Sequence, residues 1–117
     1  MYDFYYASGW FSEEQCANYE LLTKKLKTKF SIFEPRYKAG EAAPNETLTL
    51  ARAKEIFKAD INGIHNCKAV FADISFRDTG VLVEIGAALE RGIPVILFDN
   101  SDRPKMNVML ADRKSVV

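Results

Sequence analysis

The feature that most restricts the fold is an alternation of short strand-like runs and longer helical patterns. Runs rich in aromatic and β-branched residues predict strands at residues 2–7, 30–33, 68–73 and 93–98, with a last short one at 115–117. Helical patterns separate the first four runs. This order predicts one α/β domain over residues 1–117, with a doubly wound, flavodoxin- or Rossmann-like sheet of 4–5 mostly parallel strands and helices on both faces.

Polar residues indicate where the helices begin. Ser12 and Gln15 predict a capping box for the first helix, and Asp78 predicts the N-cap of the last one. Residues 36–46 are rich in Gly, Ala, Pro and Asn and predict a long mobile loop before a helix at 48–64. The residues expected on the inner faces of the first two helices are Ala17, Leu21, Leu22, Leu26, Ala51, Ile56, Phe57 and Ile64.

The last helical segment, residues 78–91, places an acid inside an apolar helix. Its side chains are apolar on almost all sides, which predicts a buried helix. A carboxylate at Glu84 is costly there unless it is paired, hydrogen-bonded or facing a cavity. Glu84 is therefore either a half-buried acid that meets a Lys or Arg, or a functional acid. Gly86, two residues further on, would let a ligand or another backbone approach closely.

Composition excludes several classes of function. Sixteen basic and sixteen acidic residues cancel, so no net charge favours nucleic acid or an anionic membrane as a partner. No apolar run approaches the length of a membrane span. Cys16 and Cys67 have no metal-ligand or redox spacing, and His65 is the only histidine, so we expect no metal site and no cofactor. The absence of a signal peptide pattern, together with thiols expected to be reduced, predicts a cytoplasmic protein.

The predicted sheet places several polar residues at one edge. Parallel sheets bind ligands outside the carboxyl ends of their strands, near the switch in strand order. Glu84 would project towards this edge, and Asp60, three residues after Phe57, is either an inward acid or a surface residue. The other residues expected at or near the edge are Tyr5, Tyr6, Gly9, Glu34, Asp73 and Asp78. The prediction is a pocket with aromatic walls and several carboxylates.

These residue types favour some reactions over others. The chain contains no phosphate-loop motif, and only Gly9 follows the first strand, so no dinucleotide fingerprint is present. Carboxylates without a metal suit the cleavage of glycosidic bonds, where one acid attacks or stabilises the anomeric carbon and another group protonates the leaving group. Aromatic walls suit a stacked nucleobase.

Four ordered blocks of the chain carry a resemblance to a known family. These blocks are residues 5–11 with Gln15, residues 60–64 with 67–72, residues 78–80 with 83–88, and residues 106–109. In these blocks the sequence resembles the nucleoside 2-deoxyribosyltransferase family. Each block is a weak signal alone, whereas all of them in order and at suitable spacing are fairly specific.

The resemblance implies roles for four residues. Glu84 would attack C1′ of a 2′-deoxynucleoside and form a covalent deoxyribosyl-enzyme, from which a second base takes the sugar in a ping-pong exchange. Tyr5 would orient or tune Glu84 through a hydrogen bond. Asp60 and Asp78 would hold sugar and base, and one of them would handle the proton of the base.

The resemblance also implies how substrates bind. The substrate-binding residues it implies are Gly9, Trp10, Phe11, Arg36, Asn107 and Met109. Asn107 matches an Asn that reaches the 5′ end of the sugar from a neighbouring subunit, which implies a homodimer or a multiple of dimers. The expected partners are deoxynucleosides, nucleobases and further copies of the chain.

One departure from the family pattern keeps alternatives open. Arg36 stands where the family places a base-contacting Gln, so the base preference is open, and Arg36 or Lys38 could bind a 5′-phosphate. The alternative enzyme is a 2′-deoxynucleoside 5′-monophosphate N-glycosidase, with Ser8 and Ser12 as phosphate ligands. A non-catalytic nucleotide-sensing domain on the same fold is the alternative from another class.

Overall fold

The computed structural model describes residues 1–38 and 49–100 and the backbone of residues 115–116. Its elements in chain order are β1 (Tyr2–Ala7), α1 (Glu13–Leu26), β2 (Ile32–Phe33), α2 (Pro35–Lys38), α3 (Leu50–His65), β3 (Cys67–Asp73), α4 (Thr79–Glu90), β4 (Val95–Phe98) and β5 (Ser115–Val116). None of the helices in these segments is long and apolar enough to cross a membrane.

The strands form one sheet in the order β2-β1-β3-β4-β5, and every neighbouring pair is parallel. This confirms the doubly wound α/β fold. Strand β2 lies on one side of β1 and β3 lies on the other, so the strand order reverses between β1 and β3. At such a point the connections leave in opposite directions and a crevice opens at the carboxyl edge of the sheet.

The two faces of the sheet receive alternate residues of each strand, because the side-chain period of a strand is two. Tyr5 and Ala7 pack with Ile64 of α3 and Ile85 of α4 on one face. Tyr6 packs on the other face, in a cluster that includes Tyr19 and Phe71 and is covered by α1. Helices therefore lie on both faces, as the sequence predicts.

Several element boundaries differ from the sequence prediction. Phe30 was expected in the second strand, but its N–H donates to the carbonyl of Leu26 at 2.9 Å and continues the end of α1, so β2 begins at Ile32. The predicted loop begins instead with α2, and residues 39–48 lie outside the described part of the chain. Helix α3 begins later than predicted, because Thr49 is its N-cap and accepts from the N–H of Arg52.

The expected burial of the helices is only partly correct. Val81, Ile85 and Ala88 of α4 face the sheet, whereas Leu82 and Val83 are 39% and 57% exposed. A helix covers the sheet with one side only. A helix that is apolar on all sides, such as α4, therefore leaves apolar side chains on its outward side. Four residues predicted on inner helix faces are likewise exposed: Ala17, Leu21, Ala51 and Phe57.

A close contact between α3 and β2 determines where the ring of Tyr5 lies. A Cβ atom on Gly63 would stand 2.5 Å from Cε1 of Phe33, so only a glycine fits at this point of the helix. The ring of Phe33 stacks in turn on the ring of Tyr5, with centroids 5.6 Å apart and planes 15° from parallel. Gly63 thus lets Phe33 pack between α3 and Tyr5.

Candidate active site

A cavity of about 440 Å³ lies at the carboxyl edge of the sheet, where the strand order reverses. This volume is within the range of about 300–1,000 Å³ typical of small-molecule sites. Its walls come from the turn after β1, from the start of α2, from α3 and from the first turns of α4. The residues that line it are Ser8, Trp10, Phe11, Pro35, Ala53, Ile56, Phe57, Asp60, Ile61, Asp78, Gly80, Val81, Val83 and Glu84.

Glu84 projects into this cavity from α4, and the hydroxyl of Tyr5 donates a hydrogen bond to its Oε2 atom. Burial raises the pKa of Glu84 to about 8; the hydrogen bond from Tyr5 opposes this rise, and the charges of Asp60 and Asp78 add to it. Burial and the neighbouring Glu84 raise the pKa of Tyr5, so Tyr5 keeps its proton and remains a donor. The hydrogen-bond partner of Glu84 is thus the hydroxyl of Tyr5, and not the Lys or Arg that a half-buried acid was expected to meet.

Asp60 and Asp78 enter the cavity from different helices. Asp78 is the N-cap of α4, and its Oδ1 accepts from the N–H of Gly80 at 2.9 Å and of Val81 at 3.3 Å. Asp60 lies on α3, and burial raises its pKa to about 6. The two aspartates therefore differ. Asp78 accepts hydrogen bonds from the N-terminus of α4 through one oxygen, whereas Asp60 keeps its proton to higher pH than an ordinary Asp.

The turn after β1 brings an aromatic wall against these acids. Trp10 and Phe11 line the cavity with ring centroids 5.2 Å apart, and Phe11 is 73% exposed. Gly9 is buried and does not line the cavity itself. A Cβ on Gly9 would stand 2.6 Å from Oδ2 of Asp78 and 2.8 Å from Nε2 of Gln15, so the glycine is required for Asp78 to approach the turn.

Arg36 is not among the residues that line the cavity. Its guanidinium carbon lies 5.2 Å from the ring centroids of both Tyr19 and Tyr37, and one of its nitrogens lies 3.6 Å from a carboxylate oxygen of Glu20. A planar guanidinium between two rings is held by their faces as well as by charge. The preceding residue, Pro35, lines the cavity instead.

Two predicted binding residues, Asn107 and Met109, lie outside the described residues. Their assignment, and the sharing of Asn107 between subunits, therefore stay predictions.

Ser8 lines the cavity and donates to the carbonyl of Gly9 at 3.3 Å, whereas the hydroxyl of Ser12 accepts from the N–H of Gln15 as the N-cap of α1.

Three of the polar residues expected at this edge turn away from the cavity. Tyr6 faces α1, where it packs with Tyr19. Glu34 accepts from the hydroxyl of Tyr19 at 2.9 Å and pairs with Lys27 at 2.6 Å. Asp73 accepts from the side-chain amide of Asn18 and from the N–H of Ser75. Residues at the same edge are thus divided between the two faces of the sheet.

The sequence interpretation missed the wall that α3 supplies. Phe57, which was predicted to pack inwards, lines the cavity beside Asp60, and so do Ala53, Ile56 and Ile61. Their spacing of three to five residues is the signal that was available, since such residues lie along one face of a helix. That face was expected to cover the sheet, but its first part covers the cavity.

The lining has a distinctive charge. Among the described residues that line the cavity, Asp60, Asp78 and Glu84 are acidic and none is Lys, Arg or His. Such a lining favours a neutral ligand with an apolar ring, and it stabilises positive charge that develops next to a carboxylate. In the described segments, no group of three or more His, Cys, Asp and Glu side chains is arranged to hold a metal ion.

Comparison with known proteins gives a family match and similar structures. A model of the family described as nucleoside 2-deoxyribosyltransferase matches residues 4–116. The structure is similar to that of a 2-deoxyribosyltransferase from Bacillus psychrosaccharolyticus, with a TM-score of 0.80 and 26% identity, over 98% of this chain and 85% of that one. A conserved protein from Enterococcus faecalis V583 shares the fold, with a TM-score of 0.74 and 19% identity, over 100% of this chain and 91% of that one. Comparison with curated proteins gives no match.

The fold and the cavity define a class of α/β proteins with an acidic, aromatic-walled site at the carboxyl edge of a parallel sheet. Within that class, the chain belongs to the nucleoside 2-deoxyribosyltransferase family, whose model spans nearly its whole length. The resemblance stated from the four sequence blocks is therefore confirmed.

Proposed function

We propose that this protein transfers a 2-deoxyribosyl group between nucleobases through a covalent intermediate on Glu84. The observation that carries the proposal is the hydrogen bond from Tyr5 to Glu84 at the acidic cavity. None of the described residues that line this cavity has a cationic side chain. A buried carboxylate with a hydroxyl partner and open space in front of it is suited to attack a carbon that develops positive charge.

In the first step, an oxygen of ionised Glu84 forms a bond to C1′ while the bond from C1′ to the base nitrogen breaks. The electron pair of that bond goes to the base, which takes a proton from Asp60 or Asp78. In the second step, a nitrogen of the incoming base attacks C1′, its proton returns to the aspartate, and the carboxylate of Glu84 leaves. Two displacements at one carbon retain its configuration.

The raised pKa of Asp60, about 6, supports a role in this proton transfer, because a neutral carboxylic acid is a donor and its conjugate base an acceptor. Trp10 and Phe11 supply aromatic faces for the base. The apolar part of α3 limits the water that can compete with the second base.

We further propose that the substrate is an uncharged nucleoside rather than a 5′-monophosphate. A phosphate would enter a lining that, in its described part, carries three carboxylates and no cation. Two of the candidate phosphate ligands have other partners: Arg36 lies over Tyr19 and Tyr37, and Ser12 caps α1. These contacts favour the transferase over the monophosphate N-glycosidase.

A homo-oligomer, with Asn107 completing the site of a neighbouring copy, remains part of the proposal. The exposed apolar side chains Phe57 and Val83 line the cavity, and the exposed Leu82 precedes Val83 on α4, which supports a protein surface that covers this region. A cytoplasmic location, predicted from the sequence, would supply the free nucleosides and bases that the reaction needs.

The test is to incubate the purified protein with deoxyinosine, with and without excess adenine or cytosine, and to separate the products by chromatography. We expect a new deoxynucleoside only when a base is added. Brief incubation with deoxyinosine alone, followed by acid quench and peptide mass spectrometry, should find the deoxyribosyl mass on the peptide that contains Glu84. Light scattering of the same sample gives its oligomeric state.

Other products would overturn the proposal in distinct ways. Free deoxyribose formed at the same rate with or without added base would identify a hydrolase. Turnover of deoxyinosine 5′-monophosphate in preference to the nucleoside would identify the N-glycosidase. Binding without turnover of either compound would identify a sensing domain.

A further inference from the structure

Arg77, the residue immediately before Asp78, has a φ of 55°, which lies in the left-handed region of backbone conformation. In the segments that the structure describes, no other residue apart from glycine has a positive φ. The Cβ atom makes this conformation unfavourable, and residues such as Arg adopt it rarely. It persists only where surrounding contacts hold it, so the contacts of Arg77 indicate what the turn is for.

The side chain of Arg77 supplies such contacts. Its Nη1 atom donates to the carbonyl oxygen of Ile74, which also accepts from the backbone N–H of Arg77 at 3.1 Å. Its Nη2 atom lies 2.9 Å from Oδ2 of Asp99, whose side chain is 4% exposed. A carboxylate this well buried requires charged or hydrogen-bonding partners. The guanidinium of Arg77 therefore joins the loop between β3 and α4, residues 74–78, to the residue that follows β4.

The beginning of the same loop is attached to the same part of the chain. The N–H of Ile74 donates to the carbonyl of Phe98 at 2.8 Å, and the hydroxyl of Ser75 accepts from the N–H of Asn100 at 3.0 Å. The loop is thus held against the end of β4 at its start and again at Arg77. Of these attachments, the one made by Arg77 is the nearest to α4.

Asp78 needs an accurate position because its carboxyl group has neighbours on two sides. Its Oδ1 atom accepts from the N–H groups of Gly80 and Val81 at the start of α4. On the other side Gly9 is so close that a Cβ atom there would stand 2.6 Å from Oδ2. The carboxyl group thus lies between a helix N-terminus and the turn after β1, at the wall of the cavity. The backbone dihedrals of Arg77 set the direction from which the chain enters this position.

We propose that Arg77 is a positioning residue, whose ion pair with Asp99 holds the left-handed turn that sets the carboxyl group of Asp78 at the cavity. Its effect on catalysis rests on the transfer reaction proposed above, whereas its effect on the position of Asp78 can be measured without that reaction. Arg77 is not among the described residues that line the cavity, so it acts through Asp78 and not on the substrate. Without the guanidinium, a residue with a Cβ atom would favour a right-handed conformation.

Three variants separate the role of the turn from the role of the charge. Arg77→Ala removes the guanidinium and leaves a Cβ atom that disfavours the left-handed conformation. Arg77→Gly removes the same charge but allows that conformation without steric cost. Arg77→Lys keeps a cation that can reach Asp99 and loses the forked donors of the guanidinium. Arg91→Ala is the matched control, because it removes the charge of an exposed Arg at the other end of α4.

Two readouts follow Asp78, one structural and one kinetic. The first is hydrogen exchange of the backbone amides of Gly80 and Val81, measured by NMR with the buried Ile85 of the same helix as reference. The second is the kcat of base exchange. In Arg77→Ala we expect exchange of the two amides to accelerate about tenfold, as for a lost helix cap. We expect its kcat to fall about 10- to 100-fold, as for a misplaced catalytic group. Both changes should be smaller in Arg77→Gly, smallest in Arg77→Lys and absent in the control.

Equal losses of kcat in Arg77→Ala and Arg77→Gly, with amide exchange unchanged, would be an effect of charge alone and would overturn the proposal. Wild-type values in all three variants would overturn it too. So would exchange that accelerates at Ile85 as much as at Gly80, because that pattern indicates a general loss of stability.

Two of the variants decide the case in which Arg77→Ala does not fold. Arg77→Lys should then stay closer to the wild type than Arg77→Gly in both readouts, and equal values for these two variants would overturn the proposal. Absence of base exchange in the wild type would instead overturn the proposed function. Amide exchange at Gly80 and Val81 would still decide whether Arg77 positions Asp78.

Discussion

Tyr5 and Tyr6 are adjacent and both fully buried, but they lie on opposite faces of the sheet. Tyr5 stacks on Phe33 and donates its hydroxyl to Glu84. Tyr6 stacks on Phe71 with centroids 5.9 Å apart. Its hydroxyl lies near Ser8 but forms no hydrogen bond of normal geometry within the described part of the chain.

The two tyrosines differ in role: we expect Tyr5 to act in the reaction and Tyr6 to act in packing. A buried hydroxyl without a partner costs about 1–3 kcal/mol, so Tyr6 contributes to stability through its ring rather than through its oxygen. The hydroxyl of Tyr5 has a charged partner and acts on that partner's pKa. The face covered by α3 and α4 therefore carries the reaction that we propose, and the face covered by α1 carries packing.

The largest expected effect comes from removing the acid on the reactive face. Glu84→Ala should reduce base exchange by at least about a thousandfold, because a nucleophile has no substitute in a two-step displacement. Initial rates with deoxyinosine and adenine measure this loss. Glu90→Ala, at an exposed position of the same helix, is the control and should keep wild-type activity. Near-normal rates in Glu84→Ala would eliminate the covalent mechanism.

The next effect comes from Tyr5. Since attack requires ionised Glu84, kcat/KM should rise with pH up to about 8, the pKa of that carboxyl group in the free protein. The hydrogen bond from Tyr5 lowers this pKa. Tyr5→Phe should therefore move the rise to higher pH and reduce kcat/KM at pH 7 by about 10- to 100-fold. An unchanged pH profile in Tyr5→Phe would mean that the hydroxyl does not tune Glu84.

A smaller effect concerns stability. The pKa of Glu84 is raised from 4.5 to about 8 on folding, so the folded protein binds more protons than the unfolded chain between these values. Its free energy of unfolding should then fall as pH rises through this window. Glu84→Gln removes that dependence, so its stability relative to the wild type should be greater at pH 8 than at pH 5, by about 3 kcal/mol. Urea unfolding at pH 5 and pH 8 measures the difference, and an equal gap at both values would contradict it.

The smallest effect is expected at Tyr6. Tyr6→Phe removes a buried hydroxyl that lacks a normal hydrogen bond and keeps the stacked ring, so stability should stay the same or rise by about 1 kcal/mol. Base exchange should be unchanged. Thermal unfolding and initial rates, measured beside Tyr5→Phe, complete the comparison. A loss of activity similar to that of Tyr5→Phe would show that the two faces are not separate.

Much of the fold could be predicted because it depends on local patterns. Strand runs and the capping residues Ser12 and Asp78 are read directly from the chain, and the predicted parallel sheet follows from their order. Burial was harder to predict, because it depends on which neighbour a helix face meets. Phe57 has the spacing of a core residue, yet it lines a cavity and is 58% exposed.

The site could be predicted where residues project from rigid elements. Tyr5, Asp60, Asp78 and Glu84 come from one strand and two helices, and the first strand and the last helix were placed nearly correctly. Arg36 follows a two-residue strand, and its position depends on stacking between Tyr19 and Tyr37, which no sequence spacing predicts.

The contact at Gly63 has a consequence for how the reaction could be altered from a distance. The missing side chain allows Phe33 to press on the ring of Tyr5, whose hydroxyl reaches Glu84. A single methyl group added at Gly63 would thus displace the ring of Phe33 and, with it, the ring of Tyr5. Gly63 is therefore a position outside the cavity where a substitution could change the rate of base exchange while every residue that lines the cavity stays the same.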